Sequence, residues 1–318
     1  MRYWLQRIAM AVSLLLAVSA LTFGAMNLLG DPLFNILGPI AGDTDNPKSV
    51  KLIEQAKEQY HLDRALGVRY GYWLSDFVQG DMGVQFGRDG QPPVTKLIKE
   101  RVPRTVMLLI IGQLIAILLA IPWAIIAASR VDKPVDRLST GTTFLLVSLP
   151  SFALAVILKF FLAIKFEIFP LTFNAQDPLK SRIWQMILPG MVIGLPAAAI
   201  YQRLLRTDLI TTLQEDFILM ARSKGVSRRR VLFRHALRPS LFSFITVIGL
   251  TTGALIGGSI VVETIFRIPG LGSSLVEAVL RQDFPVVLAI VMIVAAAFVL
   301  INLLIDVFYS IIDPRVRR

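Results

Sequence analysis

The sequence predicts an all-α, polytopic membrane protein with six transmembrane helices and with both termini in the cytoplasm. Hydrophobic residues make up 55% of the 318 residues, more than in an average soluble domain. The excess is concentrated in six apolar runs, each long enough to cross a hydrocarbon core of ~30 Å at about 1.5 Å per helical residue. The predicted spans are 8–29, 106–128, 138–164, 184–201, 241–262 and 285–308.

The first span has an alternative interpretation. Arg2 and Arg7 precede it, and Val18-Ser19-Ala20 resembles the small-residue cleavage site of a signal peptide. The apolar run continues beyond Ala20 to residue 29, and further spans follow. A retained transmembrane helix is therefore favoured, and it defines a first segment at 1–29.

A mixed polar segment at 30–105 follows and is expected on the external side. It contains a helix-like stretch at 48–62 and an aromatic stretch at 70–74, and Gly80, Gly83, Gly87 and Gly90 punctuate a loop. A segment of this size is too small for a rich core of its own. We therefore expect it to pack on the spans, with the transmembrane core at 106–318.

Four prolines lie in or beside the later spans, where neighbouring helices can satisfy the freed carbonyl groups: Pro122, Pro150, Pro189 and Pro196. Lys159 and Asp306 lie near span ends, and we expect interfacial positions rather than a charged pathway. Gly249, Gly253, Gly257 and Gly258 recur along the fifth span, so a close helix contact is expected there, either within the chain or with a partner.

The loop at 207–239 is long, polar and strongly basic. Leu209, Ile210, Leu213, Phe217 and Met220 recur at helical spacing and predict one apolar stripe. Gly225 suits a left-handed turn, Ser227 suits a helix N-cap, and Pro239 is expected to close a second helix at 228–237.

Charge distribution sets the expected orientation. Lys and Arg are concentrated at the N-terminus, at 130–137, at 206–238 and in the C-terminal tail. The short loops on the other side carry fewer, which places both termini and the 207–239 loop in the cytoplasm. Because the net charge of +11 lies beside spans, we expect lipid contacts and no nucleic-acid partner.

Several kinds of chemistry have no residues to support them. The chain has no cysteine, and its two histidines, His61 and His235, lie far apart. GxxxxGK[ST], GxSxG and HExxH motifs are absent. We therefore expect no catalytic, cofactor-binding or metal-binding residues in this chain, and a conduit that draws energy from another subunit.

The basic loop carries a recognisable pattern. Residues 220–225 read MARSKG, preceded by EDF at 215–217 and followed by RHALR at 234–238. This resembles the coupling loop of ABC importer permeases, and most closely the first-permease branch of the peptide/nickel type. Leu219 and Met220 depart from the general permease pattern, as is common in this branch.

Three other stretches resemble the same family in the same order. They are ETIFRIPGLG at 263–272 with EA at 277–278 and DFP at 283–285, the external segment around 62–83, and DPRVR at 313–317. The resemblance implies the six-span importer fold, a second homologous permease, two cytoplasmic ATPase subunits that bind ATP and Mg²⁺, and an external substrate-binding protein. It implies the cytoplasmic membrane of a bacterium or archaeon.

Site residues follow as expectations. The resemblance implies coupling to the ATPase through Phe217, Ala221, Arg222, Lys224, Gly225 and Arg228. The break in the apolar run at Pro269, Gly270 and Gly272 leaves 271–280 as a short external helix, with Glu263 as the candidate polar residue of an external gate; a plain structured hairpin is the alternative.

The expected function is an ATP-driven permease for peptides or similar small solutes. The alternative is a permease of the same family that carries nickel chelates, glutathione or other small molecules. An ion-driven secondary transporter would need intramembrane carboxylates and two repeats, which are not evident. A signalling or structural protein, whose basic loop binds anionic lipid, is the third class.

Overall fold

The computed structural model describes residues 2–29, 32–86 and 91–312, and in these residues the chain is helical. Extended pairing in this part of the chain is limited to one isolated antiparallel bridge between Val84 and Pro93. An all-α fold is therefore confirmed.

The helices follow one another with short connections. The first part of the chain forms α1 (Arg2–Leu29), α2 (Pro32–Leu37), a 3₁₀ helix (Gly38–Gly42), α3 (Pro47–Gln59) and α4 (Leu66–Val78). The central part forms α5 (Val94–Ala128), α6 (Pro134–Ser148), α7 (Ser151–Leu158), a π-helical turn (Lys159–Lys165) and α8 (Leu179–Thr212). The last part forms α9 (Asp216–Ser223), α10 (Arg228–Arg230), a π-helical turn (Val231–Ala236), α11 (Leu237–Phe266), α12 (Leu271–Leu280) and α13 (Phe284–Ile312).

Five helices among the described residues are long and apolar enough to cross a membrane. They are Trp4–Leu28, Val94–Ala128, Leu179–Thr212, Arg228–Phe266 and Phe284–Val307. The third predicted span, 138–164, is not one straight helix: Pro134–Ser148 and Ser151–Lys165 are bent by 107° where they meet. The residue before a proline is pushed out of helical backbone, and Leu149, before Pro150, has ψ 124°.

The outer surfaces of these helices are those of a protein surrounded by lipid. Leu5, Leu21, Leu118 and Leu138 are each about 70% exposed or more. Large apolar side chains in such numbers on long helices suit a hydrocarbon environment rather than water.

The structure divides into two compact units, the first of which comprises the described parts of Met1–Pro103 and Ser273–Arg318. In it α1 packs along α13, and the Arg7 Nη1 atom lies 3.1 Å from the Asp306 Oδ2 atom. Helix α4 packs on α1. The ring centroids of Tyr70 and Trp73 lie 5.6 and 5.7 Å, respectively, from the ring centroid of Phe23. The segment after the first span thus packs on a span, as its size predicts. Gly87, Gly90 and the 313–317 motif lie outside the described residues.

The second unit, Arg104–Gly272, contains a close helix crossing between α5 and α8. A Cβ atom added at Gly194 of α8 would lie 2.6 Å from the carbonyl oxygen of Gly112 of α5. One added at Gly190 would lie 2.7 Å from Ile111. Small residues therefore let α5 and α8 approach backbone to backbone. Pro189 and Pro196 lie inside α8 without ending it.

Candidate functional site

The basic loop is built as helix, break, helix, glycine turn and helix. Helix α8 ends at Thr212 and α9 begins at Asp216, after Glu215 with extended backbone (ψ 149°). The single apolar stripe predicted from Leu209 to Met220 is therefore wrong. The break resets the helical phase, so that a different side chain of α9 turns inward.

That side chain is Ile218. It is fully buried in a cluster that includes Leu205 and Leu209 of α8 and Val231 and Ala236 beyond the turn. Helix α9 is thus fastened by one residue to the ends of two long helices.

The outward face of α9 is apolar. Phe217 is 45% exposed, Leu219 65% and Met220 59%. Phe217 and Met220 were predicted on one stripe with Leu209, which is buried. Ala221 lies beside them and is half-buried, while Arg222 and Lys224 are exposed. An apolar patch of this kind, rimmed by charge, is typical of a surface that binds another protein.

The turn after α9 is a Schellman motif. Gly225 has φ +76°, its N–H group donates to the carbonyl oxygen of Arg222 at 2.9 Å, and the N–H group of Val226 donates to that of Ala221 at 3.2 Å. This 6→1 and 5→2 pair requires a left-handed residue at Gly225, which confirms the predicted glycine turn. Ser227 precedes the next helix as predicted, with extended backbone (ψ 146°), but its side chain makes no capping hydrogen bond.

The prediction of a second short helix at 228–237, ended by Pro239, is wrong. The helix runs on from Arg228 to Phe266. Pro239 lies in the first turn of α11, just after the wide turn Val231–Ala236. A proline is tolerated there because the wide turn already interrupts the regular hydrogen-bond ladder.

Arg228 binds within the chain. Its Nη2 atom donates to the carbonyl oxygen of Ser129 at 3.2 Å, just past the end of α5. A cation at this position is favourable because the C-terminal end of a helix carries partial negative charge. Arg228 therefore ties the basic loop to α5, while its side chain remains exposed.

A buried ion pair joins α6 and α8 next to the basic loop, and the sequence did not predict it. Arg206 of α8 donates from Nε to Asp136 Oδ1 at 2.5 Å and from Nη2 to Oδ2 at 2.6 Å. Asp136 of α6 is 3% exposed, and Gln202 donates to Ser139 at 2.9 Å one turn away. The bidentate pair fixes α6 to α8. From the sequence alone, Arg206 is only one of the basic residues at 206–238 that indicate the orientation of the chain.

The other candidate residues meet at the end of α11. Glu263 is fully buried, and the Thr105 hydroxyl donates to its Oε1 atom at 2.7 Å. The same hydroxyl oxygen accepts the N–H group of Leu271 at 2.8 Å. The Thr105 hydroxyl thus links α5 to Glu263 and to the first residue of α12, and α12 has the predicted extent, Leu271–Leu280.

Glycine is required around this carboxylate. A Cβ atom at Gly270 would lie 2.5 Å from the Glu263 carboxylate, and one at Gly272 would lie 2.6 Å from the Ile260 backbone. Pro269 offers its carbonyl oxygen to Arg104 Nη1 at 3.1 Å. The four residues predicted from the sequence are therefore brought together, with Thr105 and Arg104 as partners that the sequence did not reveal.

Lys159 also reaches this end of α11. Its Nζ atom donates to the carbonyl oxygen of Ile265 at 2.7 Å and lies 5.2 Å from the ring centroid of Phe266. The C-terminal end of α11, which carries partial negative charge, thus holds the ammonium group of Lys159.

In the part of the chain that the structure describes, no three His, Cys, Asp or Glu side chains form a group that could hold a metal ion. The arrangement found is mechanical: a surface helix with an exposed apolar face, fastened to long helices. Fold and site together define a helical, multi-pass membrane protein that presents an exposed apolar helix face.

The comparisons agree with this class. Residues 120–318 match the family of binding-protein-dependent transport system inner membrane components. The chain is 35% identical to the oligopeptide transport system permease protein AppB of Bacillus subtilis (strain 168), over 99% of this chain and 98% of that protein. It is 37% identical to a putative peptide transport system permease protein of Brucella abortus (strain 2308), over 98% of both, and 34% identical to the glutathione transport system permease protein GsiC of Escherichia coli O6:H1, over 100% and 99%.

The chain therefore belongs to the binding-protein-dependent transport system inner membrane component family, as a permease of an ABC importer of the peptide/nickel type. It is a multi-pass protein of the cytoplasmic membrane, and its family works with ATPase subunits and a substrate-binding protein.

Proposed function

We propose that this chain is one of two homologous permeases in an importer for di- or oligopeptides. Two cytoplasmic ATPase subunits, which hold ATP and Mg²⁺, dock on the coupling loops of the two permeases. An external binding protein delivers the substrate, and the termini of this chain lie in the cytoplasm. This chain moves the solute without catalysing a reaction of its own.

The observation that carries the proposal is the outward apolar face of α9. Phe217 and Met220, three residues apart on one helix, are exposed beside Arg222 and Lys224. A groove on an ATPase can bury the two apolar side chains, and its carboxylates can pair with the two cations.

The inward side of α9 explains how docking would be converted into motion. Ile218 is packed against Leu205 and Leu209 of α8 and against Val231. Because close-packed side chains transmit displacement rather than absorb it, closure of the ATPase pair on α9 would shift α8 and the helix beginning at Arg228. Such a shift is a rigid-body transition between two states.

The test places a carboxylate on the docking face. Ala221→Glu adds a charge where the ATPase approaches, and we expect ATP-dependent uptake to fall by about tenfold or more, equivalent to about 1.4 kcal/mol of docking free energy. Gly225→Val is the second variant, because a β-branched residue at φ +76° is strained. Uptake into proteoliposomes and co-purification of the ATPase are the measurements.

Ala65→Glu is the matched control, since Ala65 is exposed and precedes α4, far along the chain from α9. If Ala221→Glu and Gly225→Val leave both uptake and co-purification at the level of the control, the proposed coupling surface is wrong. Uptake without any ATPase would instead favour an ion-driven transporter.

We infer the transported substrate from the names of the similar proteins. Two of those named above have names that refer to peptides, and a third is named for glutathione, itself a small peptide-like thiol. We therefore propose peptides first and glutathione second. The ligand that the cognate binding protein retains on purification distinguishes the two.

We further propose that the cluster at Glu263, Pro269, Gly270 and Gly272 forms part of an external gate. The buried carboxylate and the glycines around it support this, because they hold an irregular turn between two helices at the edge of a span.

A further inference from the structure

Two arginines, one before α9 and one after it, bind the same short stretch of chain where α5 gives way to α6. Arg206 of α8 donates from Nε and from Nη2 to the Asp136 carboxylate at 2.5 and 2.6 Å. Arg228, after the glycine turn, donates to the carbonyl oxygen of Ser129 at 3.2 Å. Contact between α9 and an ATPase requires neither bond. The stretch 129–136 is therefore attached to the chain on both sides of the proposed docking helix.

The two contacts differ in strength. Asp136 is 3% exposed, and its bond with Arg206 is charged, two-pronged and shielded from water. Asp136 Oδ2 also accepts the N–H group of Asp132 at 3.1 Å, which fixes the end of the loop. Arg228 is exposed and binds a neutral carbonyl oxygen. Because charged hydrogen bonds strengthen where water is excluded, the Asp136–Arg206 pair is the stiffer of the two links.

Helix α6 is attached to α8 through polar side chains. The buried residues of α6 are Asp136, Ser139 and Thr143. One turn from Arg206 on α8, Gln202 donates from Nε2 to Ser139 Oγ at 2.9 Å. Lipid tails are as apolar as leucine, so the hydrophobic effect does not drive helices together in a membrane. These polar bonds therefore fix the register of α6 on α8, since a slip along the axis would leave the buried Asp136 carboxylate without its cation.

The turn of α8 that carries Arg206 also receives α9. Leu205 and Leu209, on either side of Arg206 in the sequence, belong to the buried cluster that contains Ile218 of α9. Close-packed side chains pass on a displacement rather than absorb it. A movement of α9 thus reaches α8 at the same turn whose arginine holds α6.

Helix α6 leads to the C-terminal end of α11. After Ser148 the chain bends by 107° into Ser151–Lys165. In that segment Lys159 donates from Nζ to the carbonyl oxygen of Ile265 at 2.7 Å. Ile265 lies just beyond Glu263, the buried carboxylate of the proposed gate. A displacement of α6 is therefore passed to the cluster around Glu263.

We propose that Asp136 and Arg206 are positioning residues for coupling. Their bond makes α6 and α8 move as one rigid body, so that closure of the ATPase pair on α9 displaces α7 and the end of α11 as well as α8. Without the bond, α8 still follows α9, whereas α6 is free to slip along α8. The ATPase then hydrolyses ATP while less solute crosses the membrane in each cycle. This role rests on the proposed function, because it takes α9 as the docking surface.

The test replaces both members of the pair. In Asp136→Leu/Arg206→Met the buried ion pair becomes an apolar contact, and we expect the midpoint of thermal unfolding to stay at or above that of the wild type. The full complex in proteoliposomes, with its binding protein, is assayed for ATP hydrolysis and for uptake of a labelled mixture of peptides that includes glutathione. We expect ATP hydrolysis and ATPase co-purification within about twofold of the wild type, and uptake per ATP lower by about tenfold.

Arg206→Lys is measured alongside the double variant. It keeps the positive charge beside Asp136 but loses the two-pronged geometry of the guanidinium, and we expect uptake per ATP to fall by about threefold. Arg7→Met/Asp306→Leu is the matched control. It removes another ion pair between two helices, with 3.1 Å between Arg7 Nη1 and Asp306 Oδ2, in the other compact unit. The control should leave uptake per ATP unchanged.

Equal uptake per ATP in Asp136→Leu/Arg206→Met and in the control would overturn the proposal. Should the double variant fail to assemble, unchanged uptake per ATP in Arg206→Lys would overturn it. A midpoint, ATP hydrolysis and uptake that all fall in proportion would show that the pair only supports the fold, which also contradicts the proposed role.

Ala221→Glu separates failure of this role from failure of the docking surface. If Ala221→Glu leaves ATPase co-purification intact, the docking surface is wrong and the role of the pair falls with it. If Ala221→Glu weakens co-purification while Asp136→Leu/Arg206→Met and Arg206→Lys transport normally, only the role of the pair is wrong.

Discussion

At the scale of single residues, the contact between Thr105 and Glu263 gives a sharp prediction. Thr105→Val keeps the shape of the side chain but removes the hydroxyl that donates to Glu263 and accepts from Leu271. The substitution removes one hydrogen-bond donor from the fully buried Glu263 carboxylate. We therefore expect the free energy of unfolding to fall by about 1–3 kcal/mol, measured as a lower midpoint of thermal unfolding of the purified complex.

Thr264→Val is the control for this change. Thr264 lies next to Glu263, is exposed, and donates only to the carbonyl oxygen of Ile260, one turn back in its own helix. Equal midpoints for the two valine variants would contradict a stabilising role for the Thr105 contact. If the cluster is also a gate, uptake by Thr105→Val falls further than its stability alone explains.

The same contact shows what the sequence can and cannot reveal about a site. Glu263 was predicted because a carboxylate at a span end, followed by proline and glycines, is visible within ten residues. Thr105 lies 158 positions away, and a threonine at the start of a span carries no signal of its own.

At the scale of helices, the crossing of α5 and α8 is the second prediction. Gly194→Ala places a methyl group 2.6 Å from the carbonyl oxygen of Gly112, a backbone atom that cannot move without the helix. We expect overpacking to cost about 1–3 kcal/mol, again seen in the unfolding midpoint.

Gly141→Ala is the comparison for that change. Gly141 lies inside α6, and nothing lies within 4 Å of an added Cβ atom. Replacing a mid-helix glycine by alanine is favourable by roughly 0.5–1 kcal/mol where space permits. The two substitutions should therefore shift the midpoint in opposite directions, and a shift in the same direction would contradict the close approach of α5 and α8.

Helix positions were largely predictable, and helix phases were not. Apolar runs located every long span, because the hydrocarbon core sets a minimum length that composition makes visible. Pro150 was recognised as a proline in or beside a span, but the sequence did not reveal the size of the bend there, 107°. The break before α9 was missed. Each feature depends on a few backbone angles between two apolar stretches. The break at Leu213–Glu215 determines which face of α9 is exposed, and therefore which face we propose for docking.

At the scale of the whole molecule, the glycines of α11 bear on assembly. Sequence spacing indicated a close helix contact along 249–258 but left open whether it lies within the chain. In the structure, nothing lies within 4 Å of a Cβ atom added at Gly257 or at Gly258. By contrast, the space that a Cβ atom would need at Gly190 or at Gly194 is already occupied by atoms of α5. Gly257 and Gly258 therefore have room for a helix from another subunit.

This leads to the last prediction, that the second permease packs against α11 at Gly257. Gly257→Leu should leave the unfolding midpoint of the separated chain unchanged or slightly higher, because the site is open and leucine is the better helix former. The same change should weaken co-purification of the second permease by about tenfold or more, since a bulky side chain prevents backbone approach. Gly141→Leu, which is also open and helical, should change neither quantity. Co-purification that survives Gly257→Leu would place the subunit contact elsewhere, and a lowered midpoint in the separated chain would mean that the glycine serves packing within the chain instead.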